Sequence, residues 1–163
     1  NVLISRVHPE IVLNENLPHI NSIEDLNENF WNKRLRQINQ FEQIIAENGT
    51  IIFKFFLNIS KEEQKNRLLR RLNKPHKNWK FAPEDIEERQ LWDNYVSAYN
   101  KAINATSKPH APWYNIPADD KPTARYLVAK ILEERMSTFS DIQYPESDLD
   151  KTIKFYKDKL ENQ

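Results

Sequence analysis

Residues Thr50 to Leu57 read TIIFKFFL, an almost continuously apolar, β-rich run broken only by Lys54. Such a run suits a strand covered on both faces, as in a parallel sheet, better than an alternating strand with one wet face. A parallel neighbour requires a crossover of a dozen or more residues, usually helical, and the flanking segments carry helical periodicity. Upstream, Ile23, Leu26, Phe30, Trp31, Leu35, Ile38, Phe41 and Ile45 recur at helical spacing, with Ser22 and Asp25 as a capping pair and Asn48-Gly49 as the stop. Downstream, Ser60 and Glu63 form a capping box for a helix that runs to about Asn73 and ends before Pro75.

Pro83, followed by Glu84, Asp85, Glu87 and Glu88, opens a further helix with acids at its positive end, and Ile86, Trp92, Tyr95, Tyr99 and Ile103 form its apolar stripe. Ala111 to Pro117 is a second short strand, and Asp119, Asp120 and Pro122 begin a helix using Ala124, Leu127, Val128, Ile131 and Leu132. Val2 to Val7 is β-branched and apolar and stops at His8-Pro9, so it reads as a buried strand with Arg6 and His8 at its carboxyl end. The order strand, helix, strand, helix pair, strand, helix predicts an α/β sandwich with a parallel sheet and right-handed crossovers. Residues 1–140 are expected to form this domain; residues 141–163, restarting after Tyr144-Pro145 around Leu149, Ile153, Tyr156 and Leu160, are expected to form a helical tail.

Lys plus Arg (24) balances Asp plus Glu (24), so any anion site must come from local clustering, with no specific nucleic-acid role and no attraction to a membrane surface. No cysteine is present, which excludes a disulfide framework and a thiolate metal site and fits a reducing, cytoplasmic setting. A single glycine in 163 residues leaves no room for a glycine-rich phosphate loop. The first residues show neither an initiating Met nor a leader pattern, and the chain reads as one that begins mid-fold.

The charge is concentrated from Lys65 to Lys80, KNRLLRRLNKPHKNWK, which holds Lys65, Arg67, Arg70, Arg71, Lys74, Lys77 and Lys80 and no acid. Arg67, Arg70, Arg71 and Lys74 fall on one helical face. Arginine forks bind phosphate oxygens bidentately while lysine acts as a point charge, so the array suits a row of phosphates, mobile when empty and ordered when filled. A solvated helix face balanced by Glu84 to Glu88 accounts for the spacing equally well. Trp79 either anchors the loop in the core, the commoner fate of tryptophan, or stacks on a base. Asp119 and Asp120 read as N-caps rather than metal ligands, since no third carboxylate is near. His8 and His110 stand beside prolines without an identifiable partner.

The strings RVHPE, ENGTIIFKFFLNISKEEQKNRLLRRL, PHKNWKFAPEDIEERQLWDNYVSAYNKAI and APWYNIPADDK, in this order and spacing, resemble the type-two polyphosphate kinase family from Val2 to about Leu132. The resemblance implies a P-loop-kinase-like three-layer α/β fold with a helical basic lid at about residues 61–106. It implies reversible, magnesium-dependent phosphoryl transfer between polyphosphate and adenine nucleotides (AMP, ADP, ATP). Arg67 and Arg71 match lid residues assigned to catalysis, and with Arg70, Lys74, Lys77 and Lys80 they form the expected polyphosphate grip, although the family often carries an acid where this chain has Arg70. Arg6, Lys54 and Lys121 are further candidate phosphate or nucleotide contacts. The family's P-loop and its Asp-Arg or Asn-Arg motif, which hold the metal, have no counterpart here; they are expected upstream, with this segment inactive alone and no metal ligand within it. A homo-oligomer is expected. A non-catalytic polyanion-binding remnant and a P-loop kinase using ATP as donor are the alternatives.

Overall fold

A computed structural model describes residues 2–143 and 149–162. Val2–Val7 forms helix α1, not the expected strand. By periodicity alone a short apolar run serves a buried helix as well as a strand, and packing decides: α1 lies against later helices, with Val2 on a cluster of Val12, Leu26 and Trp31. A four-residue helix α2 (Glu10–Leu13) follows directly after Pro9.

The long helix α3 (Glu28–Glu47) starts later than the Ser22–Asp25 pair implies, because Asn27 caps it: Oδ1 accepts from the N–H groups of Asn29 and Phe30 at 3.0 and 3.2 Å. Ser22 and Asp25 instead cap a short 3-10 turn, Ile23–Asp25. Gly49, at φ +88°, ends α3 in the left-handed conformation that favours glycine. Trp31 packs into the cluster and donates from Nε1 to the Leu26 carbonyl at 2.9 Å.

Strand β1 (Lys54–Asn58) pairs in parallel with β2 (Trp113–Pro117), Lys54 opposite Trp113 and Asn58 opposite Pro117. Among the described residues the sheet therefore has two strands, not three. The ladder is shorter than the apolar run because its partner starts after Pro112, which has no N–H to give. None of β1 is fully buried and Leu57 is 57% exposed, so the strand expected to be covered on both faces is only partly covered.

The crossover comprises α4 (Lys61–Leu72), a 3-10 turn (Pro75–Lys80), α5 (Glu84–Gln90) and α6 (Trp92–Thr106). The helix expected to run unbroken from Pro83 divides at Leu91, whose N–H bonds back only three residues to Glu88. At the amino edge of the sheet Lys54 Nζ donates to Glu42 Oε2 (2.7 Å) and the Thr106 carbonyl (2.6 Å) beneath Trp113.

Helix α7 (Lys121–Met136) begins at Asp120, whose Oδ2 accepts from the Thr123 N–H at 2.9 Å. The chain divides into two compact units, Asn1–Val128 and Ala129–Gln163. The second contains α8 (Leu149–Glu161), on which Ile153, Tyr156 and Leu160 are exposed; Tyr144-Pro145 lie outside the described residues. No helix among the described residues is long and apolar enough to cross a membrane.

Candidate functional site

Helix α4 is fixed at its amino end by a local cap and a distant carboxylate. Ser60 Oγ accepts from the Glu63 N–H at 3.0 Å, as the capping box predicts, and the Ser60 N–H donates to Asp119 Oδ1 at 2.7 Å. This bond and that from the Ala118 N–H to the Asn58 carbonyl (2.8 Å) tie the start of α4 to the carboxyl ends of both strands. Ligands of open parallel sheets bind at such edges.

Arg67 and Arg71 stand one turn apart on the cleft side of α4. Arg67 Nε donates to Glu63 Oε1 at 2.7 Å, and its Nη2 reaches the Ala118 and Asp119 carbonyls. Arg71 Nη1 donates to Asp85 Oδ2 at 3.1 Å and, at 3.3 Å, to the Lys80 carbonyl. Both guanidiniums are thus pre-oriented by internal acceptors, and Arg67 is less exposed than Arg71, 25% against 40% of the side chain.

The facing wall carries four polar groups in one network, His8, Glu10, Glu88 and Tyr95. His8 Nε2 lies 3.0 and 3.1 Å from the two Glu88 oxygens, and Nδ1 lies 3.2 Å from Glu10 Oε1. Tyr95 Oη donates to Glu88 Oε2 at 2.6 Å. The Glu88 hydrogen bond, aided by the charges of Glu88 and Glu10, holds the His8 pKa above its usual 6.5. Hydrogen bonds from Tyr95 and then His8 hold the Glu88 carboxyl below its usual 4.5, while burial first, and Glu88 second, push the Tyr95 phenol up to about 12.

Between these walls is a cleft of about 850 Å³, floored by the end of β1 and by Tyr99, whose ring sits 4.7 Å from that of Phe56. Its size lies within the usual range of small-molecule sites, about 300–1,000 Å³. Of the sequence-derived candidates it brings together Arg67 and Arg71. Arg70, bonded to Glu63 at 3.2 Å, and the exposed Lys74 lie outside its lining, as do Lys77 and Lys80 in the following turn. Lys80 Nζ sits 4.8 Å over the Trp79 ring, and Trp79, 78% exposed, is not a core anchor. Arg6 is bound by Glu28 and lies over Trp31; Lys54 belongs to the polar knot at the opposite edge of the sheet; Lys121 is exposed at the start of α7.

The family model described as polyphosphate kinase 2 (PPK2) matches residues 17–143. The chain belongs to the polyphosphate kinase 2 family. It is 47% identical over 146 residues to an ADP-polyphosphate phosphotransferase of Rhodopseudomonas palustris, covering 90% of this chain and 49% of that protein. It is 43% identical over 145 residues to an AMP/ADP-polyphosphate phosphotransferase of Meiothermus ruber, covering 89% and 52%. The crystal structure of polyphosphate kinase 2 from Arthrobacter aurescens TC1 superposes with a TM-score of 0.78 at 38% identity, covering 91% of this chain and 47% of that one. The chain thus spans about half the length of these relatives.

Within this polyphosphate kinase 2 chain the cleft acids do not fit a metal site. Asp85 is taken by Arg71 and Glu88 by Tyr95 and His8, and no group of three metal-ligating side chains stands together among the described residues. Sequence reasoning missed His8, Asp85 and Glu88 as cleft groups. His8 and Glu88 are 80 residues apart, and no spacing rule joins them; the one signal was the acid-rich start after Pro83.

Proposed function

We propose that this chain is the phosphate-gripping part of a polyphosphate-dependent nucleotide kinase acting on adenine nucleoside mono- or diphosphates. The observation that carries the reading is the placing of Arg67 and Arg71 on one wall of a nucleotide-sized cleft at the carboxyl edge of a parallel strand pair. The names of the relatives, phosphotransferases that use polyphosphate with ADP or AMP, supply the substrate class. The fold is read as P-loop-kinase-like, residues 1–140 as part of its kinase domain, and residues 61–106 as its lid.

In the forward reaction an oxygen of the acceptor's terminal phosphate bonds to the terminal phosphorus of polyphosphate. The anhydride bond to the next phosphate breaks, and the donor leaves one unit shorter. Charge spread over the transferred group is stabilised by fixed cations, which is where catalysis of phosphoryl transfer chiefly lies. Arg67 keeps its carbonyl anchors while offering its remaining N–H groups, whereas Arg71 exchanges Asp85 for a phosphate oxygen. Lys77 and Lys80, in the turn beyond, extend the grip along the chain.

The test is nucleotide phosphorylation by the full-length protein with polyphosphate or ATP as donor. ATP or ADP formed from polyphosphate supports the reading. Transfer from ATP but not from polyphosphate would replace it with an ordinary nucleotide kinase, and binding without transfer would replace it with a polyanion-binding remnant.

A further inference from the structure

Three helical segments meet at one carboxylate. Glu88 of α5 is approached by His8 at the α1–α2 junction, at 3.0 and 3.1 Å, and by Tyr95 of α6 at 2.6 Å. Helix α5 has seven residues, none of them buried, and no side-chain cap, so its own helicity cannot hold it in place. Side-chain ties do so. Arg89 donates to the Lys61 carbonyl and to Gln64 Oε1, both at 2.7 Å, and Asp85 accepts from Arg71, which fixes α5 to α4. Glu88, one turn after Asp85 on the same side of α5, bonds His8 and Tyr95 instead.

We propose that Glu88 is a positioning residue that latches the α4–α5 segment, with its Arg67 and Arg71, against the α1–α2 wall through a proton on His8. His8 has a carboxylate at each ring nitrogen, Glu10 on Nδ1 and Glu88 on Nε2. Only the imidazolium carries N–H on both nitrogens. When His8 loses a proton, one nitrogen turns a lone pair toward a carboxylate, and the attraction on that side becomes repulsion. The groups facing His8 from its neighbours are Glu10 of α2, Glu88 of α5 and Tyr95 of α6; Arg6 of α1 is turned to Glu28 of α3, which Lys101 of α6 also meets. Among the described residues no Lys or Arg pairs with Glu88. The latch is therefore closed when His8 is charged and loosened when it is neutral.

This inference rests on the polyphosphate kinase reading for its functional consequence, and its structural half is tested separately. In the full-length protein, KM for polyphosphate and kcat are compared between wild type and Glu88→Gln across pH, as a ratio, so that titration of the substrates cancels. The KM ratio is expected to be about two- to fivefold near pH 6 and to fall toward one near pH 9, with kcat lowered over the same pH range and recovering with KM. A ratio that does not change with pH overturns the latch, since a merely structural role would give that result. His8→Gln, tested in parallel in case Glu88→Gln fails to fold, should reproduce the raised KM near pH 6; an unchanged KM there counts equally against the proposal. Independently of activity, the imidazole NMR titration of His8 should have its midpoint above 6.5 in wild type and nearer 6.5 in Glu88→Gln. Equal midpoints overturn the latch even if the protein phosphorylates nucleotides, whereas a shifted midpoint in a protein that cannot use polyphosphate sinks only the function.

Discussion

Arg71 Nη1 stands 3.1 Å from Asp85 Oδ2 across the gap between α4 and α5, so the guanidinium at the cleft edge is already held by an acid, which a phosphate would have to displace under the proposed function. Both side chains are about 40% exposed, and an ion pair that open to water contributes only about 0–1 kcal/mol. Exchange with a polyanion is therefore easy. Asp85→Asn should lower KM for polyphosphate by about two- to fivefold at low ionic strength, with less effect at high salt. Steady-state kinetics at two salt concentrations check this, and a raised KM would mean that Asp85 serves only as a support.

The Lys54–Glu42 pair is a different case, because only 10% and 12% of these side chains are exposed. Removing one partner strands a buried charge, so Lys54→Met should cost about 3–5 kcal/mol in urea unfolding. The double variant with Glu42→Gln should recover a large part of that loss. Equal stabilities of the single and double variants would contradict the assignment of Lys54 to structure.

The His8–Glu88 pair gives stability a defined pH window. His8 has its pKa raised in the fold, so its contribution is fully present below the unfolded value of 6.5 and is lost as pH rises through the folded value. Glu88 has its pKa lowered, so its contribution is present above 4.5 and is lost as pH falls through the folded value. The Tm difference between wild type and Glu88→Gln should thus be largest between 4.5 and 6.5 and shrink on either side. A difference that keeps growing above the window would contradict this.

Two local devices are testable by thermal melts. Gly49 sits at φ +88° with open space where a Cβ would lie, so Gly49→Ala should cost about 1–2 kcal/mol through backbone strain alone. Ser60→Ala removes the acceptor for the Glu63 N–H and should cost about 1 kcal/mol.

The helices were legible because capping chemistry is local: Ser60 with Glu63, Asp120 with Thr123 and Gly49 all act within a few residues of themselves. The parallel pairing of β1 with β2 followed from the apolar run at residues 50–57 and the helical segment between the strands. Val2–Val7 was misread because a six-residue, mostly apolar run satisfies either period, and tertiary packing on α6 and α3 decides between them. The basic face of α4 was legible as charge but not as geometry. Spacing places Arg67, Arg70 and Arg71 together, whereas only the folded chain shows Glu63, Asp85 and the Ala118 carbonyl dividing them into cleft and surface cations. The opposite wall was illegible, since His8, Glu88 and Tyr95 are joined by topology alone.

The most direct measurement is the rate of nucleotide phosphorylation from polyphosphate by the full-length protein carrying Arg71→Ala. Loss of a fixed cation that stabilises the transferred phosphoryl group should lower kcat by about 100-fold or more. An unchanged kcat, with folding intact, would remove the α4 grip from the mechanism.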